Sequence, residues 1–462
     1  MSPPEPDKLD RTVAPQSAAE LGVEYASSAG LSTGEAQHAD AHADVVPIHP
    51  GLDRPLNICI TGYRSAPFGG GQGIYIKYLS KALVDAGHNV DVISGQPYPH
   101  LDPRVRLIKM PGLDLFANGL GSLRPRHLKS LTNIIEWTSK LTGGFAEPYC
   151  FSRRLAKYLD THGHRYDIVH DNQCLGWGML ALQQRGTSLL TTIHHPVTSD
   201  LAIALQAARH WWEKILIHRW HFFLRMQKKV ASQLEHVVTV SHRSRADIAD
   251  AFDLDSRKIH LVYNGIDTDE FRPMPEVAKR RFQIMATASA DQPLKGLRYL
   301  LLAVARLAKK YPQIHLLLVS KPKPGGPTEK LIRRLKLAGH VTFVSGISTE
   351  EMVEHYAQSE IAVVPSVYEG FGLPAGEAMA CGVPVVSTDG GALAEVVGDA
   401  GIVVPTKEAG ALADSIEKLL LDEKLRQEYA EAGRDRIEKH FCWRLAAQQM
   451  TALYCGVMDA DG

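Results

Sequence analysis

Two doubly wound α/β domains in tandem, facing each other across a cleft, are the architecture this sequence predicts. Three observations lead to it. The chain has 462 residues, a length for two or three domains of ordinary size. Short apolar runs of strand length alternate with stretches of helical period, the order that builds a parallel sheet covered by helices. That alternation stops once, at Arg272-Pro273-Met274-Pro275, and then begins again.

Residues 1–54 are rich in Pro, Ala, Ser, Asp and His without a sustained hydrophobic period, and read as a disordered tail with at most a transient helix over 18–29. His38, His42 and His49 lie in it without a cysteine or a rigid frame to make a metal site. Order begins with the buried-strand run 56–60. It leads into a glycine-rich turn, Gly69-Gly70-Gly71-Gln72-Gly73, then a helical stretch over 74–86 closed by Gly87, and a strand over 90–93. Further strands are expected at 168–169, 189–193 and 236–240, which makes 55–272 a first Rossmann-like domain. Beyond the proline joint, strands are expected at 281–286, 315–319, 341–344, 361–364 and 383–386. Helices belong at 296–310, 328–337, 349–358, 374–380 and 409–420, giving a second domain over 273–442. A last helical stretch, about 443–456, is free to pack back on the first domain.

Composition excludes several classes. Hydrophobic residues make up 45% and charged residues 22%, as in a globular protein with real cores. Lys plus Arg (51) equals Asp plus Glu (51), so no global field attracts nucleic acid. The six cysteines form no C-x-x-C pair and read as reduced core thiols. No apolar stretch approaches the roughly 18–20 residues that span a bilayer, and the start, Met1-Ser2-Pro3-Pro4, has neither the basic end nor the apolar core of a signal peptide. A cytoplasmic protein is expected.

The most informative segment is Pro365-Ser366-Val367-Tyr368-Glu369-Gly370-Phe371-Gly372-Leu373-Pro374-Ala375-Gly376-Glu377. It follows an apolar strand and precedes a short helix. Gly370, Gly372 and Pro374 break the span between its two glutamates. Glu369 therefore belongs on the loop and Glu377 in the first turn of a helix whose N1 residue is Pro374. Glycines let backbone N–H groups approach a diphosphate or sugar hydroxyls, and the positive helix end favours anionic oxygens. A carboxylate just inside the helix can accept hydrogen bonds from ribose hydroxyls.

This stretch resembles the family-4 retaining glycosyltransferases of the GT-B fold, whose mark is an E-x7-E loop and helix in the second Rossmann-like domain. The resemblance runs from about Asn57 to about Tyr454. It includes Gly70-Gly71 before the first helix, Gly87-His88-Asn89-Val90, Val240-Ser241 through Asp247-Ile248, and Val262-Tyr263-Asn264-Gly265-Ile266-Asp267. Lys295-Gly296-Leu297, the run 378–386, and Gly390-Gly391 through Glu395-Val396-Val397 complete it. By that resemblance Glu377 holds the donor ribose, Glu369 sits beside the transferred sugar, and Gly370 with the backbone of Phe371, Gly372 and Leu373 faces sugar and phosphates. Lys295 neutralises the diphosphate. Gly71 and Asn264 join the donor side. One departure matters: the family's arginine a few residues before that lysine is missing from Thr287-Ala288-Ser289-Ala290-Asp291-Gln292-Pro293-Leu294, where Ser289 is the candidate to help.

In the first domain, Gly69 to Gly73 is no dinucleotide fingerprint, because Ile74 and Ile76 stand where glycine is needed. Thr192-Ile193-His194-His195-Pro196 follows a strand, and the resemblance assigns a histidine here to the donor sugar: His194 first, His195 second. His170-Asp171-Asn172-Gln173 ends another strand at the same edge and is read, with His195, as part of the acceptor pocket. The basic, aromatic segment 209–229 reads either as a face lying on an anionic membrane or as a core helix with a solvated edge. Asp253-Leu254-Asp255 and Asp267-Thr268-Asp269 look like the metal motif of the other glycosyltransferase fold, but GT-B enzymes hold the diphosphate with lysine and helix ends. No metal or cofactor beyond the nucleotide-sugar donor is expected. The activity implied is retaining transfer of a sugar from a nucleoside-diphosphate sugar to a hydroxyl acceptor; the alternatives are an epimerase on the same fold and a non-catalytic nucleotide-sugar-binding protein.

Overall fold

The structure, a computed structural model, describes residues 54–67, 71–198, 201, 204–205, 208 and 210–461. The tail read over 1–54, apart from Arg54, lies outside the described residues, as do Gly69, Gly70 and Arg209.

Two parallel sheets carry the chain. The first comprises β1 (Asn57–Gly62), β2 (Asn89–Ser94), β3 (Arg106–Lys109), β4 (Ile168–Asn172), β5 (Leu189–Thr192), β6 (Val237–Thr239) and β7 (Ile259–Leu261). Its order is β3-β2-β1-β4-β5-β6-β7. The second comprises β8 (Gln283–Thr287), β9 (His315–Val319), β10 (Val341–Val344), β11 (Ile361–Val364), β12 (Val385–Thr388) and β13 (Ile402–Val404), ordered β10-β9-β8-β11-β12-β13. Strand order reverses between β1 and β4 in one sheet and between β8 and β11 in the other. Crevices open at such points, beyond the carboxyl ends of the strands.

Period-two geometry sorts the strand side chains onto two covered faces. In the second sheet Ile284, Leu316 and Leu318 join one core, and Met285, Leu317 and Val319 join the other. The helix Leu297–Ala308 lays Leu297, Leu300, Leu301, Val304 and Leu307 on the first of these. Sequence reading missed β3, β7 and β13, outer strands that are only three or four residues long and too short to stand out as strand-length apolar runs. The first long helix spans Gly71–Asp85, so Gly71 and Gly73 sit in its first turn rather than in a preceding loop. Gly73 is needed there, since a Cβ would meet Ala66 O at 2.0 Å.

The last helix, Trp443–Asp461, runs longer than its sequence pattern implied and packs on Gly71–Asp85. Trp443 stacks on Tyr78 with ring centroids 5.9 Å apart, and Thr451 Oγ1 lies 3.0 Å from His88 Nε2. The chain crosses between the sheets twice at one place, where Ile266 N donates to Phe441 O at 2.6 Å. Among the described residues no helix is long and apolar enough to cross a membrane. Cys59, Cys150, Cys174 and Cys381 are buried free thiols.

Candidate active site

Loops after the two switch strands of the second sheet lock together. The turn Pro293–Lys295 ends at Gly296, whose φ is +64° and whose Cβ, were there one, would meet Pro365 O at 1.8 Å. Val367 N donates to Leu294 O at 2.8 Å. This close backbone approach brings Lys295 Nζ to 2.8 Å from Glu369 Oε1, which also accepts from Ser366 Oγ at 2.8 Å. Gly372, at φ +105°, turns the chain into the helix Leu373–Ala380. The helix start leaves the N–H groups at and before Leu373 without intrahelical acceptors, while the Phe371 side chain is buried against Tyr263 and Phe441.

Helix onset at Leu373 makes Pro374 its second residue and puts Glu377 one residue deeper than the sequence suggested, at the start of the second turn. Burial, and then the Glu270 carboxylate, push the Glu377 carboxyl up to about 7, against a hydrogen bond from Tyr356 that favours the ionised form. Glu270 accepts from Tyr78 Oη at 2.5 Å and pairs with Lys77 at 3.4 Å.

Across the cleft, His194 follows β5. Its Nε2–H donates to Asn172 Oδ1 at 2.7 Å, and its backbone N donates to Gln173 Oε1 at 2.8 Å. Tyr75 stands edge-on to its ring at 4.7 Å. Burial, followed by the neighbouring His195 and His170, lowers the imidazole to about 3, so it is neutral at ordinary pH. Asn172 also donates from Nδ2 to Gln72 O at 3.1 Å, tying the histidine to the first helix. Gly370 faces this wall: a Cβ there would lie 3.2 Å from His194 O and 3.6 Å from His195 Cβ.

Two acceptor-side assignments are corrected. His170 is fully buried, with Nδ1 2.7 Å from Tyr454 Oη and Nε2 2.6 Å from Thr192 Oγ1; both nitrogens are committed inside the core. Asp171 is equally buried and accepts from Cys174 N, Leu175 N and Thr61 Oγ1, holding the turn after β4. Neither reaches the cleft. Asn172 does act there, through His194. Ser289 is half-buried beside Ala290, Gly71 opens onto free space, and Asn264 is buried with Oδ1 unpartnered. Both Asp pairs serve local structure: Asp255 binds Arg257, and Asp267 Oδ1 accepts from the N–H groups of Asp269 and Glu270. Segment 209–229 folds as Trp211–Trp220, a short turn and Leu224–Ala231, with Trp211 74% exposed.

Contact between the two walls was not legible in the sequence. Ser241 Oγ and Ser244 Oγ both donate to Gly370 O, at 2.8 and 3.0 Å. Glu395 accepts from His242 N and Arg243 N at 2.8 and 2.7 Å, and Tyr368 Oη donates to Asp247 at 2.8 Å. Ser366 was likewise not chosen, although it lies in the motif segment, and Gln173, read for the acceptor pocket, instead holds the backbone of His194 and His195.

Comparison with known proteins places the chain in a family. Residues 69–270 match the model described as Glycosyltransferase Family 4, and residues 269–436 match Glycosyl transferases group 1. An MMP alpha-(1->4)-mannosyltransferase of Mycolicibacterium hassiacum is 43% identical over 406 residues, covering 86% of this chain and 98% of that protein. A D-inositol 3-phosphate glycosyltransferase of Geodermatophilus obscurus is 26% identical over 84% of this chain and 85% of its own length. Among solved structures, a sucrose-phosphate synthase from Thermosynechococcus elongatus superposes with a TM-score of 0.65 at 25% identity, over 88% of this chain and all of its own. The chain belongs to the family-4 glycosyltransferases of the GT-B fold, enzymes that transfer a sugar from a nucleotide-sugar donor.

Proposed function

We propose that this enzyme transfers a hexosyl residue from a nucleoside-diphosphate sugar to a hydroxyl acceptor with retention of configuration and without a metal ion. The observation that carries the reading is the Lys295–Glu369 pair beside the Leu373–Ala380 helix start, facing neutral His194 across the cleft. Glu377 accepts from the ribose hydroxyls, and the helix start and Lys295 meet the diphosphate charge. His194 and Glu369 hold the sugar. As the anomeric C–O bond breaks, its electron pair goes to the phosphate oxygen. The acceptor oxygen bonds to the anomeric carbon on that same face and gives its proton to the departing phosphate. Protein groups then act by positioning and charge stabilisation, which fits a site with no nucleophile–base pair among the described residues. The Mycolicibacterium hassiacum relative, named for α-(1→4) mannosyl transfer, supports mannose as the first sugar to test and a glycan as the first acceptor.

The test is thermal stabilisation by UDP, GDP, ADP and their sugars, with Glu377→Ala alongside, followed by NMR of the product's anomeric proton with and without EDTA. One base should stabilise the protein and lose its effect in the variant. An inverted product, or activity that EDTA abolishes, would refute the corresponding part. Nucleotide binding without transfer to any acceptor would favour a non-catalytic nucleotide-sugar-binding protein.

Peripheral contact with an anionic membrane is a second part of the reading. Trp211, Trp212, Ile215, Leu216 and Phe222 are exposed, and Arg225 lies 5.1 Å over the Phe222 ring, a pattern suited to a headgroup layer. Sedimentation with phosphatidylglycerol vesicles, but not with phosphatidylcholine vesicles, is the expected outcome; no sedimentation with either would remove this part alone.

A further inference from the structure

The family resemblance implies two cations on the donor diphosphate, and the segment 287–295 provides one, Lys295. That lysine is itself shared with Glu369 at 2.8 Å, so part of its charge is already met. The site as described is short of positive charge where the leaving group gains a negative one.

We propose that Lys321 and Lys323, on the loop after β9, supply the missing charge to the donor diphosphate; this rests on the donor-site reading above. β8 and β9 are parallel neighbours in register from Gln283↔His315 to Thr287↔Val319, so the loops that follow them leave the same edge of the sheet side by side. The segment that lacks the arginine is fastened to the lysine loop. Ala290 N donates to Ser320 Oγ at 2.7 Å. Asp291, at φ +63°, accepts from Lys323 N and from Thr328 N, each at 2.8 Å, and its own N donates to Thr328 Oγ1 at 3.1 Å. Where the family carries a cationic side chain, this chain carries an anchor that fixes a neighbouring basic loop.

The loop suits that task. Its sequence, Lys321-Pro322-Lys323-Pro324-Gly325-Gly326-Pro327, alternates lysine with proline, and proline fixes φ so that less freedom is lost on binding. Lys321 and Lys323 are exposed, and among the described residues neither is paired with a carboxylate. Lys77, Lys81 and Lys310, by contrast, are committed to Glu270, to Asp85 and Asp267, and to Glu417. The start of the Pro327–Leu335 helix is occupied by Asp291, which leaves the two ammonium groups as the loop's anion-binding elements. Lysine meets phosphate as a mobile point charge.

The test compares binding of a nucleoside with binding of its diphosphate, using the base that stabilises the parent protein. In the double variant Lys321→Ala/Lys323→Ala, diphosphate affinity should fall about tenfold to a hundredfold, the range for losing hydrogen bonds to a charged group, while nucleoside affinity stays within twofold. The double variant Lys321→Arg/Lys323→Arg should restore diphosphate binding. Unchanged diphosphate affinity in the alanine variant would overturn the inference and leave the donor site standing. Equal loss of nucleoside and diphosphate, uncorrected by arginine, would overturn it in favour of a role in shaping the loop. If the parent protein binds no nucleoside diphosphate, the donor-site reading fails, and this inference with it.

Discussion

Glu369 and Glu377 stand eight positions apart in opposite surroundings. Glu369 is held by a lysine and a serine hydroxyl. Burial and Glu270 raise Glu377 to about 7, from an ordinary 4.5. A raised carboxyl pKa means that the folded protein holds the proton more tightly than the unfolded chain. Its contribution to stability is therefore full below pH 4.5 and is lost as pH rises through about 7. Ribose recognition runs the other way, because two hydroxyls require an ionised acceptor. Nucleotide affinity should accordingly tighten between pH 6 and 8. In Glu377→Gln it should be weak and lack that step, as calorimetric titration across the range would reveal. A step of the same size in the variant would assign the titration elsewhere. His194 behaves differently, since burial keeps it neutral down to about 3 and Asn172 fixes its tautomer. His194→Ala should lower kcat by about a hundredfold, the scale of losing one oriented polar group at the reacting centre, with nucleotide affinity unchanged. An equal loss of affinity would move His194 from the sugar to the nucleotide.

The loop and turn that carry this chemistry depend on close backbone contact. Gly296 combines a positive φ with the carbonyl of Pro365 where a Cβ would stand. Gly296→Ala should therefore cost at least about 2 kcal/mol in denaturant unfolding and separate Lys295 from Glu369. Gly71→Ala, with nothing within 4 Å of the added carbon, should stay within about 0.5 kcal/mol. Similar losses in the two would contradict the packing argument. The motif loop was legible in the sequence because Gly370, Gly372 and Pro374 divide its carboxylates between a loop and a helix, whatever lies around them. His194 was legible because an apolar strand ends just before it. His170 and Asp171 were misread for a physical reason: a polar run at a strand end looks the same whether it faces a cleft or a core. The partner that settles His170, Tyr454, lies 284 positions away. The lysine loop gave no signal either, because its place beside Asp291 depends on the pairing of β8 with β9.

At the scale of the molecule, the two sheets are joined at the motif itself. Gly370 O, one residue past Glu369, accepts from both Ser241 and Ser244. Glu395 caps the helix His242–Phe252 of the opposite domain by accepting from its first two N–H groups. A carboxylate at that end meets both unpaired donors and the positive end of the helix dipole. Glu369 O in turn accepts from Ala392 N at 2.9 Å, so the segment bearing Glu395 and the loop bearing Glu369 are fastened to each other. Closure of the domains is therefore expected to be coupled to the setting of the sugar-facing loop. Glu395→Ala removes two charge-assisted hydrogen bonds from the closed form and none from the nucleotide. Nucleotide affinity should hold within about threefold, while kcat/KM for transfer should fall about tenfold to a hundredfold, as expected for bonds of roughly 1.5–3 kcal/mol. Small-angle scattering of the unliganded variant should report a larger radius of gyration than the parent, because the open form gains population when the clasp is lost. A variant with parental dimensions and parental kcat/KM would mean that the clasp is a passive contact and that closure is driven from elsewhere in the cleft.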